Sequence, residues 1–368
     1  MADLNTLLRW AIENSDKDKL HDEAAHAKDG GMQLKYKPAA PGQEPSKHNA
    51  TLHKDDQGVS PASTPGPATP KEEKSELTTD IIDLILGKPD SATMKEKMEY
   101  ATNPENDTES RVEALDDFEM LIEMIDNANN MTALKLWEPL FSLLQSDSPE
   151  IVRHALWIIG TAVQNNLKAQ ASFFFQDGFN KVLDAIEKNA SAPATRQKGA
   201  YALSNALKYW PLASMWLSAN NNRGYDALKA GVTDSAPPVR RKYAFLVGNL
   251  VMQAGTKYEG DMALPDDVKA QLVDKITAQG GKDGDLLKGL EDNGVSSALI
   301  EGMKMPDDND VEFEENAIRA LANAAEKGGL SAQEKTEAKS IWNKWDQEGQ
   351  KERGFEGADA QQVTKALS

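Results

Sequence analysis

The sequence predicts an all-α fold, a solenoid of stacked helical repeats, and three observations carry that expectation. Three segments align without gaps at starts 44 residues apart: IVRHALWIIGTAV from Ile151, TRQKGAYALSNAL from Thr195 and VRRKYAFLVGNLV from Val239. Each follows a proline-bearing turn, at Pro149, Pro193 and Pro237-Pro238. Proline suits the first turn of a helix, where its missing N–H would have no intrahelical partner. No sustained two-residue alternation of β-branched side chains marks a strand anywhere in the chain.

A helical period of about 40–47 residues is the signature of armadillo or HEAT repeats. In register, the segments superpose Trp157, Tyr201 and Phe245, then Ile159, Leu203 and Val247, then the small Gly160, Ser204 and Gly248. The small position is expected to let neighbouring helices approach closely. A weaker copy, VEALDDFEMLIEMIDNANN, precedes the three, and a degenerate one, ENAIRALANAAEK, follows near Asn316. SAQEKTEAKSIWNKWDQE reads as a capping helix that packs through Ile341, Trp342 and Trp345. The last residues look polar and partly mobile. The predicted organisation is a flexible segment over 1–75, a repeat domain over 76–326, and a cap with a polar tail over 327–368.

Residues 1–75 differ from the rest. Leu4, Leu7, Leu8, Ala11 and Ile12 fall at helical spacing beside Trp10, with Asp3 as N-cap. Beyond this short amphipathic piece, seven of the 17 prolines lie between Pro38 and Pro70. Such a segment cannot bury enough apolar area to offset about 1–2 kcal/mol of backbone entropy per ordered residue. It is predicted to be a disordered linker that carries one apolar terminal segment.

Composition narrows the function. The chain has 368 residues, 41 basic and 59 acidic side chains, and a net charge of −18. The first 75 residues contribute only −2 of this, so the acidity sits in the repeat body. An acidic chain without a basic tail is a poor match for nucleic acid or anionic lipid. There are no cysteines, which excludes disulfides, thiolate metal sites and cysteine nucleophiles. No apolar run is long enough to span a bilayer, and MADLNTLLRW lacks the basic start of a secretory signal. The expected location is cytoplasmic.

Catalysis finds little support. Four of the five histidines, His21, His26, His48 and His53, fall in the linker region, and His154 reads as a solvated or capping residue at a helix start. No HExxH, GxGxxG or GxxxxGK[ST] occurs. GGKDGD at Gly280 reads as a turn, and DDND at Asp307 lacks the glycine and terminal glutamate of a calcium loop. No metal and no cofactor are expected.

Surface chemistry repeats at the array period instead. Arg153, Arg196 with Lys198, and Arg240, Arg241 with Lys242 fall near the start of the equivalent helix. They read either as a docking stripe for an acidic partner or as internal ion pairs on a solvated face. Tyr201-x-x-x-Asn205 and Phe245-x-x-x-Asn249 also recur, with Trp157-x-x-x-Thr161 in the first copy. Asparagine on such a helix can bond a bound backbone through both donor and acceptor atoms, or bond within the array. Asn-rich turns are expected at Asn127–Asn130 and at Gln164–Asn166.

At these strings the sequence resembles a known family. DFEMLIEMIDNANN, LKLWEPL, IIGTAVQNN and YALSN, with the opening LNTLLRWAIENS, are similar to the fungal Fes-type and metazoan HspBP-type nucleotide exchange factors. The likeness covers the N-terminal segment and roughly residues 80–255. It implies an armadillo core whose concave face grips the ATPase domain of a cytosolic heat-shock protein 70 chaperone, deforms one lobe and lowers its affinity for ADP. It further implies a release segment, here Leu7, Leu8, Trp10 and Ile12, that competes at the chaperone's peptide-binding domain. Partner contacts then map to Asn127, Ala128, Asn129, Asn130, Asn165, Asn166, Asn205, Arg241, Lys242 and Asn249. The protein is expected to act as a monomer, with neither nucleic acid nor membrane as a partner. An importin-type adaptor for basic peptides is the main alternative, opposed by too few repeats, by Thr161 and by the basic stripe. A plain interaction scaffold is the next.

Overall fold

The computed structural model describes residues 88–256, 264–305 and 310–368, all within a compact unit spanning 75–368. The predicted release segment and the proline-rich linker lie outside the described residues. Among these there are 17 α-helices, one 3-10 helix and no strand. The fold is an all-α, armadillo-like solenoid.

The first elements are α1 (Asp90–Thr102), α2 (Thr108–Ile122), α3 (Ile125–Asn130) and α4 (Trp137–Leu143). Next come α5 (Pro149–Val163), α6 (Leu167–Phe175), α7 (Gly178–Lys188), α8 (Pro193–Leu207), a 3-10 helix (Pro211–Ser218) and α9 (Ala219–Val232). The C-terminal part holds α10 (Pro237–Gln253), α11 (Asp266–Ala278), α12 (Leu286–Asp292), α13 (Val295–Gly302) and α14 (Val311–Glu326). It closes with α15 (Ala332–Trp342), α16 (Gln347–Glu352) and α17 (Gly357–Ala366).

The repeated segments are the long helices α5, α8 and α10, and each begins on the anticipated proline. Local chemistry marks other starts. Asp107 caps α2 by accepting the Ser110 N–H, Asn166 caps α6 through Ala169, and Ser331 with Glu334 forms a reciprocal capping box on α15. The long helices stack in the order α2, α5, α8, α10, α14, with the most extensive packing between α5 and α8 and between α10 and α14. Shorter helices fill in behind this ladder. There Trp137, Phe141, Phe173, Phe174, Phe179, Trp210 and Trp216 form one aromatic chain, with neighbouring ring centroids 5.1–6.4 Å apart. Large flat rings bury much apolar area for little side-chain entropy, which suits a spine shared by successive repeats.

The small position behaves unevenly. A Cβ on Gly160 would lie 2.4 Å from the Tyr201 ring, so close approach there needs glycine. A Cβ on Gly248 would meet only Ala320 Cβ, at 3.9 Å. The expected role holds at the first rung and fails at the third, where the next long helix enters after a longer connection.

The tail also departs from expectation. Phe355, Val363, Ala366 and Leu367 are buried. Phe355 meets Trp342 edge-on at 5.3 Å, Arg319 lies 4.6 Å over Phe355, and the Trp342 indole N–H donates to Thr364 Oγ1 at 3.0 Å. The spacing of Val363, Ala366 and Leu367 is helical, so the segment folds back onto α14 and α15 rather than remaining polar and mobile.

Candidate functional site

One face of the ladder gathers the predicted residues. Trp157, Tyr201 and Phe245 are each the ninth residue of their helix, with a residue three before and ones four and seven after on the same side. The rows are therefore His154–Trp157–Thr161–Gln164, Lys198–Tyr201–Asn205–Lys208 and Lys242–Phe245–Asn249–Met252. Among the described residues seven large hydrophobic side chains are exposed: Tyr100, Met120, Met124, Ile125, Tyr209, Phe245 and Met252. All but Tyr100 lie on ladder helices or within three residues of their C-terminal ends. Met120 and Met252 are each 58% exposed and Phe245 46%. Exposed apolar residues collected along one set of helices mark an interaction surface, whereas single scattered ones would not.

The ladder's C-terminal ends are held by neighbouring side chains. Gln170 donates its amide to the carbonyls of Asn205, Ala206 and Lys208. Lys327 donates to those of Val251, Met252 and Ala254 at 2.8–3.0 Å. These contacts satisfy carbonyls that a helix end leaves open. Periodicity gave no hint of Gln170 or Lys327, because each acts on a different repeat.

The sequence-predicted contacts separate into groups. Asn205 is buried and Asn249 half-buried, one rung apart, and the side-chain nitrogen of each is buried with no hydrogen-bond partner among the described residues. The Asn129 Oδ1 and Asn166 Nδ2 atoms share that condition. Asn127 instead spends its amide on Asp90 Oδ2 at 2.8 Å and Leu121 O at 2.9 Å, tying α1 to the end of α2. Ala128 is in the core, while Asn130 and Asn165 are exposed. Asn127–Asn130 form α3 rather than the expected turn, whereas Asn165 adopts the left-handed conformation (φ 52°) that asparagine tolerates.

The basic stripe is largely consumed inside the protein. Arg196 makes a two-pronged bond to Asp234, at 2.8 and 2.7 Å. Arg241 Nε donates to Asp310 Oδ1 at 2.6 Å, the buried Arg240 also faces Asp310, and Arg153 pairs with Glu150. Lys198 and Lys242 differ: among the described residues neither has a hydrogen bond or ion pair. Lys198 stands 3.6 Å over the Trp157 ring centroid and 5.6 Å from that of Tyr201. Burial lowers its pKa, opposed by Glu119 and reinforced by Arg153 and Lys242.

His154 is neither solvated nor a cap. It is 5% exposed, with Nδ1 2.8 Å from Asp116 Oδ1 and Nε2 3.0 Å from the Arg153 guanidinium. Glu119, on α2, accepts the Thr161 hydroxyl at 2.8 Å, and burial raises its pKa. Among the described residues no group of three or more His, Asp or Glu is placed to hold a metal ion, and no helix is long and apolar enough to cross a membrane.

Comparisons with known proteins bear on what this face meets. An engineered protein of known structure superposes with a TM-score of 0.51 at 17% identity, covering 74% of this chain and 97% of its own, which shows a shared fold. The sequence profile of the family described as "Nucleotide exchange factor Fes1" matches residues 4–131. The Saccharomyces cerevisiae Hsp70 nucleotide exchange factor FES1 is 46% identical over 33% of this chain and 43% of its own length. The Neurospora crassa Hsp70 nucleotide exchange factor fes-1 is 33% identical over 61% of this chain and 87% of its own. A Cryptococcus neoformans protein named Hsp70 nucleotide exchange factor FES1 is 47% identical over 94% of this chain and 93% of its own, which takes the likeness through the C-terminal helices. With identity at that level along nearly its whole length, the chain belongs to the Fes1 family of Hsp70 nucleotide exchange factors.

Proposed function

We propose that this protein is a co-chaperone that binds the ATPase domain of a cytosolic Hsp70 through the exposed ladder face and promotes ADP release, and thereby substrate release. The observation that carries this reading is the set of exposed apolar side chains, Met120, Met124, Ile125, Phe245 and Met252, on or beside the ladder helices of a family member. The chain needs no nucleotide site of its own, since the ADP and the bond chemistry belong to the chaperone. Its work is to favour the conformation of the partner that holds ADP poorly.

Energetics set the scale. A hundredfold weakening of ADP corresponds to about 2.8 kcal/mol of coupling. Linkage makes this reciprocal, so bound ADP weakens the protein's grip by the same factor. An interface of roughly 1,600 Å² can supply that difference by rearranged contacts. Among the described residues, Asn129, Asn166, Asn205 and Asn249 each hold a polar atom without a hydrogen-bond partner, and the exposed Lys242 has neither hydrogen bond nor ion pair. In this reading Asn130 and Asn165 contribute exposed contacts, while Asn127, Ala128 and Arg241 shape the face from beneath or beside it. Leu7, Leu8, Trp10 and Ile12 form a release segment that competes with substrate peptide, and the protein acts as a monomer in the cytoplasm.

The test is stopped-flow release of labelled ADP from a cytosolic Hsp70, with and without this protein. Acceleration that saturates with concentration is expected, and an unchanged rate at saturation removes the proposal. Deleting residues 1–14 should preserve ADP release and slow the release of bound substrate peptide. Equal peptide release by both chains would remove the release-segment part alone.

A further inference from the structure

Among the described residues the arginines of this acidic chain mostly find carboxylates within it, as do several lysines. Arg153, Arg196, Arg223, Arg241, Arg319 and Lys304 all do so. Lys198 is built differently. Its ammonium lies over the Trp157 ring of the preceding rung, at 3.6 Å, with Tyr201 beside it. The nearby acid, Glu119, points its Oε1 at the Thr161 hydroxyl rather than at the ammonium. Lys242 occupies the equivalent place one rung on, 44 residues later, exposed and likewise without a partner among the described residues.

We infer that Lys198, braced on Trp157, is the anchoring cation of the ladder face and takes a carboxylate from an acidic surface on the partner protein, with Lys242 as its weaker neighbour. This rests on the exchange-factor reading and names the chemistry the face selects. Three observations support it. An ammonium over an indole is held in place, so little rotamer freedom remains to be lost when a partner arrives. The surrounding rings have already removed part of its water, so a charge-assisted hydrogen bond formed there is stronger than one at an open surface. A cation framed by aromatic side chains also matches the composition of interface hot spots, whereas isolated rim lysines contribute little. Lys242 has the charge without the brace. Charge complementarity decides the partner: two adjacent free ammoniums on an otherwise acidic protein call for acidic groups opposite.

The experiment compares binding of the full chain to a purified Hsp70 at several salt concentrations. Lys198→Gln removes the charge while keeping most of the length and a polar end, and Lys198→Arg keeps the charge. Lys198→Gln is expected to weaken binding about tenfold or more and to flatten the salt dependence. Lys198→Arg should stay within about threefold of the original, and Lys242→Gln should fall between the two. Circular dichroism and thermal melting should match for all chains. Full affinity and an unchanged salt slope in Lys198→Gln would overturn the inference while leaving the exchange-factor reading intact. An original chain that fails to bind Hsp70 at all would overturn both. ADP alone, titrated into the chain, should give no signal; ADP binding that vanishes in Lys198→Gln would make the site a phosphate receptor and overturn the carboxylate assignment.

Discussion

The α5–α8 seam and the α10–α14 seam join the same kind of long helix by different chemistry. At the first, the Tyr201 ring fills the space left by the missing side chain of Gly160 and Lys198 stands over Trp157, with buried apolar residues such as Ala155, Ile159, Ala202 and Ala206 on the two helices and no ion pair between them among the described residues. At the second, Asp310 sits between Arg240 and Arg241 and also caps α14 through the Phe313 N–H. The connections explain the contrast. α5, α8 and α10 start 44 residues apart, but α14 starts 74 residues after α10, with α11, α12 and α13 in between. A regular connection fixes the register of two helices nearly by itself. A long irregular one does not, and a buried charge cluster favours one arrangement, because a misplaced helix would separate Asp310 from Arg240 and Arg241.

The largest effect should come from breaking that cluster. Asp310→Ala removes the carboxylate facing Arg240, which is 1% exposed, together with the α14 cap. Removing one partner of a buried ion pair costs about 3–5 kcal/mol, here offset in part by the hydrogen bonds that Arg240 keeps to the Asp234 and Ser235 carbonyls. Urea unfolding should therefore show a much lower midpoint for Asp310→Ala and a smaller drop for Asp310→Asn, which retains an acceptor for the cap. A change below about 1 kcal/mol in Asp310→Ala would mean the seam is held by its apolar contacts and the contrast with α5–α8 is superficial.

A middle-sized effect tests the other seam, and it should change sign between rungs. Gly160→Ala forces a Cβ into the Tyr201 ring and should destabilise by about 1–3 kcal/mol, as overpacking does. Gly248→Ala meets only Ala320 Cβ, at ordinary contact distance, in mid-helix and should stabilise by up to about 1 kcal/mol through helix propensity. Thermal melts of the two variants settle this, and shifts in the same direction would show that the two glycines do the same work.

Much of the ladder was legible in the sequence because the same local signal recurs: a proline start, a small residue and an aromatic in fixed register. The exposed face was legible to the same degree, since Trp157, Tyr201 and Phe245 share a position on their helices. What stayed hidden lies between repeats. Nothing in the spacing says that Arg196 reaches Asp234 in the next connection, that Arg241 meets Asp310 across 69 residues, or that Asn127 is spent on Asp90. Those pairings decide which basic residues remain free, so a stripe read from sequence shrinks to Lys198 and Lys242 once the helices stack. The folded tail was missed because its composition is polar, and few apolar residues, Phe355, Val363, Ala366 and Leu367, carry its burial.

The smallest predicted effect concerns a third seam, α2–α5, which is held by His154. The hydrogen-bond network assigns a neutral ring: Nδ1–H donates to Asp116, and Nε2 accepts from Arg153. Burial is the main cause lowering the His154 pKa; Asp116 pulls it up, Arg153 pushes it down, and Glu150 pulls it up again. The net direction is downward from an unfolded value of about 6.5. Above that value the ring is neutral in both states and the seam keeps its full contribution. As pH falls through it, the unfolded chain gains a proton that the folded ring resists, so stability declines until the folded ring also protonates. His154→Gln retains a donor and an acceptor but cannot titrate. Its stability should therefore fall less than that of the original chain between about pH 7.5 and pH 5.5, even if it is slightly lower at neutral pH. Parallel stability curves for the two chains would show that His154 keeps its proton equilibrium unchanged on folding, and that its contact with Asp116 adds no pH-dependent hold to the α2–α5 seam.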